Sequence, residues 1–336
     1  MYKEFYDSSR YVKAPVVTVV MLAYNHADYI SDAIRGVLEQ KSDFEFELII
    51  GEDCSKDETR KVVLSYQEQY PEIIKVIGWH ENVGMNANSR KVVSLARGEF
   101  LAYCEGDDYW VDEYKLQDQV QVFRDNPKVG VVHTDWVRSK LKRGEWKKGH
   151  PVHRHLPKNM LQGDLFNIFY HPKILRTCTR MSRKCCIENC FGSELASVYY
   201  PFGDTLHAAY TSSSWGVGYV SRVTAVYRHS KQSALRSGVK KRIQFLLGCL
   251  EFDSNARCFF NGRLDYPVGY RLEMLIGLFL WSIRGGEVRW AMWSLKDFCR
   301  SYGVKSFISA VAYLVWNRTF FVLFRKWHQK FVPVER

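Results

Sequence analysis

The chain has 336 residues, 46% of them hydrophobic and 25% charged, and a formal net charge of +12 at pH 7. That composition is ordinary for a folded protein and the length allows two or three domains. Nine cysteines without repeated paired spacing read as reduced thiols rather than a disulfide framework, and Met1 to Pro15 holds no apolar run before a small-residue cleavage site, so a cytoplasmic protein without a signal peptide is expected.

Val16 to Ala23 is a short β-branched apolar run, as expected for a strand buried on both faces. After a polar turn at Tyr24-Asn25-His26, Asp28 to Gln40 places Ile30, Ala33, Ile34, Val37 and Leu38 on one helical face. The pattern then repeats: strand at Phe46–Gly51, helix at Asp57–Tyr70, strand at Ile73–Gly78, helix at Asn86–Ala96, strand at Glu99–Cys104, helix at Tyr114–Arg124, strand at Val129–Thr134. Repeated βα units imply an α/β fold with a mostly parallel central sheet. Arg138 to Lys158 carries eight Lys or Arg against one Glu and reads as a solvated loop or as contact for a phosphorylated acceptor. A helix is expected to start at Gly203, and Val217 to Arg228 reads as a strand.

Beyond about residue 238 the pattern turns helical, at Ile243–Phe252, Tyr270–Ile283, Val288–Phe298 and Ser306–Trp327. The last segment is broken by Asn317 and Arg318, a poor membrane span. Its Arg318, Arg325, Lys326 and Lys330 beside Trp316 and Trp327 suit an interfacial helix on an anionic leaflet or a helix packed on its own domain. The domains are therefore read as 1–237 and 238–336, the second a helical region and a candidate for membrane association.

Ligands of parallel sheets bind beyond the carboxyl ends of the strands. Two of those ends are acidic here: Glu52-Asp53 and Glu105-Gly106-Asp107-Asp108. No GxxxxGK[ST] and no GxGxxG occurs, which argues against P-loop and dinucleotide-binding enzymes. Closely spaced carboxylates suit a hard cation, Mn²⁺ or Mg²⁺, able to bridge two phosphates. A nucleotidyltransferase would show a Gly-rich basic loop after the first strand, unlike Tyr24-Asn25-His26. A non-catalytic nucleotide-sugar or membrane-binding module is the other alternative. The basic stretch has little aromatic interleaving, so no nucleic-acid partner is expected.

The order V-V-M-L-A-Y-N, E-L-I-I-G-E-D-C-S-x-D-x-T, N-V-G, then A-R-G-E-F-L-A-Y-C-E-G-D-D-Y-W resembles the inverting family 2 glycosyltransferases of GT-A fold. The resemblance is strong from Val16 to about Trp136 and weaker to about Ser237. It implies a nucleotide-sugar donor, a UDP-sugar first, and a saccharide or lipid-linked glycan acceptor. The setting it implies is bacterial surface polysaccharide synthesis at the inner face of the cell membrane. It places Ala23, Tyr24, Asn25, Glu52, Asp53, Asn82 and Gly84 around the nucleoside. Glu105, Gly106 and Asp107 stand at the family's D-x-D position, with Asp107 the first metal ligand and Asp108 a second ligand or a loop anchor. Tyr109 and Trp110 face the sugar or pack in the core. Asp204 is the implied catalytic base. Arg228 and His229, in a segment similar to Y-R-x-H-x-x-S, are implied to meet the diphosphate and the metal. Ser55 and Asp57 look like the cap of the following helix. Thr177 to Arg180 would border the acceptor.

Overall fold

A computed structural model of the chain describes residues 2–4, 14–171, 174–229, 238–263 and 265–309. The chain divides into two compact units, Met1–Val198 with Phe202–Ser230, and Tyr199–Pro201 with Lys231–Arg336.

The first unit is built on one sheet. Its strands are β1 (Tyr2–Glu4), β2 (Val17–Ala23), β3 (Phe46–Glu52), β4 (Ile74–Trp79), β5 (Phe100–Tyr103), β6 (Tyr109–Trp110), β7 (Val129–Lys142), β8 (Glu145–Pro151), β9 (Met181–Arg183) and β10 (Gly216–His229). The order is β1-β4-β3-β2-β5-β9-β7-β10-β6, with β8 paired to β7. β2 pairs in parallel with β3 and β5, and β3 with β4, so their carboxyl ends share one edge. Val17, Val19, Val20 and Met21 are buried, as a strand covered on both faces requires. Helix α1 (Ile30–Leu38) buries Ile30, Ala33, Ile34 and Val37, the spacing of one helical stripe. Helices α2 (Thr59–Gln69), α3 (Met85–Leu95), α4 (Lys115–Asp125), α5 (Lys184–Phe191) and α6 (Asp204–Ser212) complete the unit.

Two features of the sheet depart from the expectations. The three-residue strand β9 runs antiparallel between β5 and β7. It is held there because Met181 enters the core and Arg183 lies over Phe100 and Phe123 while donating to the Val129 carbonyl. The basic stretch expected to be a loop is largely a β-hairpin, with β7 and β8 in register from Ser139↔Lys148 to Lys142↔Glu145 and a register shift between Ser139 and the Val137↔Pro151 pair. Its two-residue turn has Arg143 at φ 52° and Gly144 at φ 86°, the double left-handed geometry that matches the twist of paired strands.

The second unit holds α7 (Val239–Phe259), α8 (Val268–Gly285) and α9 (Val288–Tyr302) around Ile243, Leu246, Leu250, Leu275, Ile276 and Phe298. α7 runs well past the expected Ile243–Phe252 at both ends. Its buried Asp253 pairs with Arg257 and Arg271, which ties α7 to α8. Among the described residues no helix is long and apolar enough to cross a membrane. Most of the expected Ser306–Trp327 helix lies outside the described residues.

Candidate active site

The carboxyl ends of β2 and β3 are laced to the loops that follow them. The Asp53 amide donates to the Ala23 carbonyl at 3.0 Å, and the Asn25 amide to the Ser55 hydroxyl at 3.0 Å. Asn25 Oδ1 accepts the Lys56 amide at 2.8 Å, and its φ of 56° sets the tight turn after β2. Tyr24 stands exposed beside it. Glu52 is fully buried, with Oε1 accepting the Ser55 amide at 2.6 Å and Oε2 paired with Arg60. Asp53 is 4% exposed. Its Oδ1 accepts the Val83 amide at 2.8 Å, its Oδ2 the Gly84 amide at 2.9 Å, and its carbonyl accepts Asn82 Nδ2 at 3.1 Å. Burial pushes its carboxyl above the ordinary value. Ala23, Asn25, Glu52, Asp53, Asn82 and Gly84 are thus gathered in one place. Each Asp53 oxygen already serves the 82–84 turn, where Gly84 sits at φ 82° and opens α3. Asp57 ties the end of β2 to the start of α2 by accepting the Ala27 and Thr59 amides.

The acidic loop follows β5. The Gly106 amide donates to the Leu22 carbonyl at 3.1 Å, which holds the loop against the end of β2. A Cβ on Gly106 would lie 2.8 Å from His26 Nδ1 and 2.8 Å from Ile30 Cδ1, so only glycine fits here without displacement. Asp107 is half-buried. Glu105 Oε2 is buried and has no hydrogen-bond partner, while Thr177 bonds the carboxyl group. Burial, then the neighbouring Asp107 charge, push Glu105 up to about 7. Asp108 is 2% exposed and turned inward, accepting the Arg228 amide at 2.8 Å. Burial and the adjacent acids raise its pKa well above the ordinary value. Trp110 is core, with its indole N–H on the Cys178 carbonyl at 2.9 Å.

Arg228 is brought to the acidic loop because β6 pairs with β10 at Ala225 and Val226. Its guanidinium is nearly buried, paired with Asp32, and stacked 4.3 Å above Tyr109, 5.4 Å from Tyr29 and 5.8 Å from Trp146. The expected cation is present beside the acids, but it already has a counter-charge. His229 ends β10 in register with Lys140. Among the described residues no three or more His, Cys, Asp or Glu side chains are grouped to hold a metal. Of the three residues expected as metal ligands, Asp107 stands half-buried on the loop, Asp108 faces the protein interior, and His229 closes β10.

Asp204 is the first residue of α6. Its Oδ1 accepts the Thr205 amide at 2.8 Å, and its carbonyl accepts Arg180 Nη1 at 3.1 Å. Arg180 is 2% exposed, lies over the Tyr103 ring at 5.3 Å, accepts the Tyr103 amide through its carbonyl, and draws Glu105 downward in pKa. This buried guanidinium links the acidic loop to the start of α6. The sequence alone does not mark His26, Tyr29, Asp32 and Trp146 as site residues. His26 could have been suspected from its place after the first strand. Asp32 is a surface helix position paired across 196 residues of chain, which no local pattern signals.

The residues fit a divalent cation at Glu105 and Asp107: two half-buried carboxylates repel each other, and one oxygen lacks any partner. A surface cavity of about 960 Å³, lined by Lys128, Asn159, Gln162, Trp215 and Tyr219, lies instead at the amino-terminal ends of β7 and β10.

Comparison with known proteins agrees with this architecture. Mannosyltransferase PcManGT from Pyrobaculum calidifontis, solved with GDP-Man and Mn²⁺, superposes with a TM-score of 0.54 at 17% identity, covering 94% of this chain and 83% of that one. TarS of Staphylococcus aureus, solved as residues 1–349 with UDP-GlcNAc, superposes with a TM-score of 0.51 at 18% identity, covering 79% and 80%. TarS is described as a poly(ribitol-phosphate) β-N-acetylglucosaminyltransferase. In sequence, the uncharacterized protein Rv1520 of Mycobacterium tuberculosis is 35% identical over 154 residues, and the match spans 44% of each chain, less than half the relative's length. The family model for glycosyl transferase family 2 matches residues 18–185, half of the chain. The chain belongs to glycosyl transferase family 2.

Proposed function

We propose that this chain is a metal-assisted inverting glycosyltransferase that moves a sugar from a nucleotide-sugar, a UDP-sugar first, to a saccharide or lipid-linked glycan in bacterial surface polysaccharide synthesis. The observation that carries the reading is the Glu105–Asp107 pair at the end of β5, with Glu105 Oε2 unpartnered. A bound Mn²⁺ or Mg²⁺ would neutralise charge on the departing nucleoside diphosphate. Glu52 and Asp53 shape the nucleoside pocket by fixing the 55–60 and 82–84 segments. Asp204 Oδ2 takes the proton of the acceptor hydroxyl. The acceptor oxygen bonds to the anomeric carbon as the bond to the diphosphate oxygen breaks on the opposite face. Arg180 holds the start of α6 in relation to the acidic loop. Arg228 adds positive charge at the rim, with Asp32 as its counter-ion.

Residues 1–237 are the catalytic domain in this reading, and 238–336 a helical region docking on the anionic inner face of the cell membrane. The exposed Val288, Met292, Trp293, Val304 and Ile308 near Arg289, Lys296, Arg300 and Lys305 support that role. Calorimetric titration of UDP-, GDP-, CMP- and dTDP-sugars, with and without Mn²⁺, tests the site on wild type and Asp107→Ala. Metal-dependent binding of one nucleotide class that Asp107→Ala loses supports it. Equal binding by the variant with metal present removes the metal assignment, and binding of no nucleotide removes the glycosyltransferase reading.

A further inference from the structure

We propose that the β7–β8 hairpin is the docking surface for an acceptor chain bearing phosphodiesters, an inference that rests on the glycosyltransferase reading. The hairpin places Lys140 directly opposite Lys147, and like charges at paired positions cost stability. Lys140, Lys142 and Arg143 are exposed, and among the described residues no carboxylate pairs with any of them. The nearby acid Glu145 reaches Lys147 at 3.8 Å. Lysines on an edge strand deter sheet-to-sheet pairing, but that task needs no facing lysines on the neighbouring strand. The uncompensated charge asks for an external anion.

Position supplies the second argument. Strand pairing puts Trp146 and Lys148 on one face, and Lys140, Lys142 and Lys147 on the other. The first face reaches the candidate site: Trp146 meets Tyr29 edge-on at 6.0 Å and approaches Arg228, and Lys148 Nζ stands 5.5 Å above the Tyr109 ring. Tyr109 follows Asp108 directly. A polyanion lying along the β8 edge meets both sets of cations and arrives at the acidic loop beside Lys148. The turn geometry holds these cations on a formed hairpin, so little order has to be created on binding. A membrane surface fits less well. Lipid docking needs apolar side chains pointing outward with the cations, and the hairpin exposes one large apolar residue, Leu141, while Trp146 turns inward.

The test uses the full chain and the variant carrying Lys140→Gln, Lys142→Gln, Arg143→Gln and Lys147→Gln. Short poly(glycerol phosphate) is the probe, titrated by fluorescence anisotropy over a range of salt concentrations. Single-stranded DNA of equal charge and phosphatidylglycerol vesicles are run beside it, and nucleotide-sugar binding is measured by calorimetry. The variant is expected to bind the polymer about tenfold or more weakly, with a salt slope smaller by roughly 3, as removal of four backbone-type contacts implies. DNA is expected to bind wild type more weakly than the polymer, and vesicle and nucleotide-sugar binding are expected not to change in the variant. Equal polymer binding by variant and wild type overturns the proposal. So does DNA binding as tight as the polymer's, or a matching loss of vesicle binding, which would mark a nucleic-acid or membrane surface. Failure of wild type to bind nucleotide-sugar would strike the glycosyltransferase reading instead, since the polymer titration needs no donor.

Discussion

Asp53→Asn isolates how the nucleoside end of the site is held. The wild-type carboxylate accepts two backbone amides, from Val83 at 2.8 Å and Gly84 at 2.9 Å, at a residue 4% exposed. An asparagine offers one acceptor oxygen, so its NH₂ group must face the second amide. A buried donor left unsatisfied costs about 1–3 kcal/mol. The neutral side chain recovers part of the burial cost that raises the Asp53 pKa, so the net loss should be about 2 kcal/mol, within that range. For a unit of this size that lowers the melting temperature by roughly 4–8 °C. Differential scanning calorimetry reads the shift, and nucleotide-sugar titration should weaken in parallel because the 82–84 turn loosens. A variant melting within about 1 °C of wild type would refute the reasoning, since the two amide bonds would then contribute almost nothing.

Lys115 gives a pH-dependent outcome. It is fully buried, donates to Gln119 Oε1 at 2.6 Å and the Thr179 carbonyl at 3.0 Å, and burial lowers its pKa from 10.5 to about 7. Between these values the unfolded chain keeps a proton that the folded chain has released, so this residue makes stability rise with pH there, by about 1.4 kcal/mol per unit at most. Urea unfolding from pH 7 to 10 should show that slope as the difference between wild type and Lys115→Met; parallel curves would contradict it. Gly106→Ala forces a Cβ to within 2.8 Å of His26 and Ile30, overpacking that costs about 1–3 kcal/mol. Because the loop must shift to relieve it, metal-dependent nucleotide-sugar affinity should fall about tenfold, read by calorimetry. Unchanged affinity would show that loop position does not govern binding.

Much of the fold was open to reading from the sequence, for a physical reason. β2, β3 and β5 lie inside a sheet covered on both faces, so they must be apolar runs, and α1 must carry its stripe at Ile30, Ala33, Ile34 and Val37. Gathering acids at strand ends needs only the rule that parallel strands share a carboxyl edge, and Ala23, Asn25, Glu52, Asp53 and Asp107 all lie on that edge. β9 is too short to show a period, and its place depends on Arg183 packing across distant strands. The hairpin was hidden because charge reads as solvent exposure, whereas its order comes from two left-handed turn residues and pairing with β7.

Residue identity alone therefore determined the parallel strands β2, β3, β4 and β5 and their acidic edge, whereas Asp204 was marked only by the family resemblance. What those carboxylates do was decided in three dimensions. Asp107 and Asp108 are adjacent and chemically alike, yet one stays half-buried at the loop surface while the other turns inward to the Arg228 amide. Arg228 in turn meets Asp32 from another helix. Local sequence sets which groups are available, but burial and partners far along the chain set which oxygen remains free to bind.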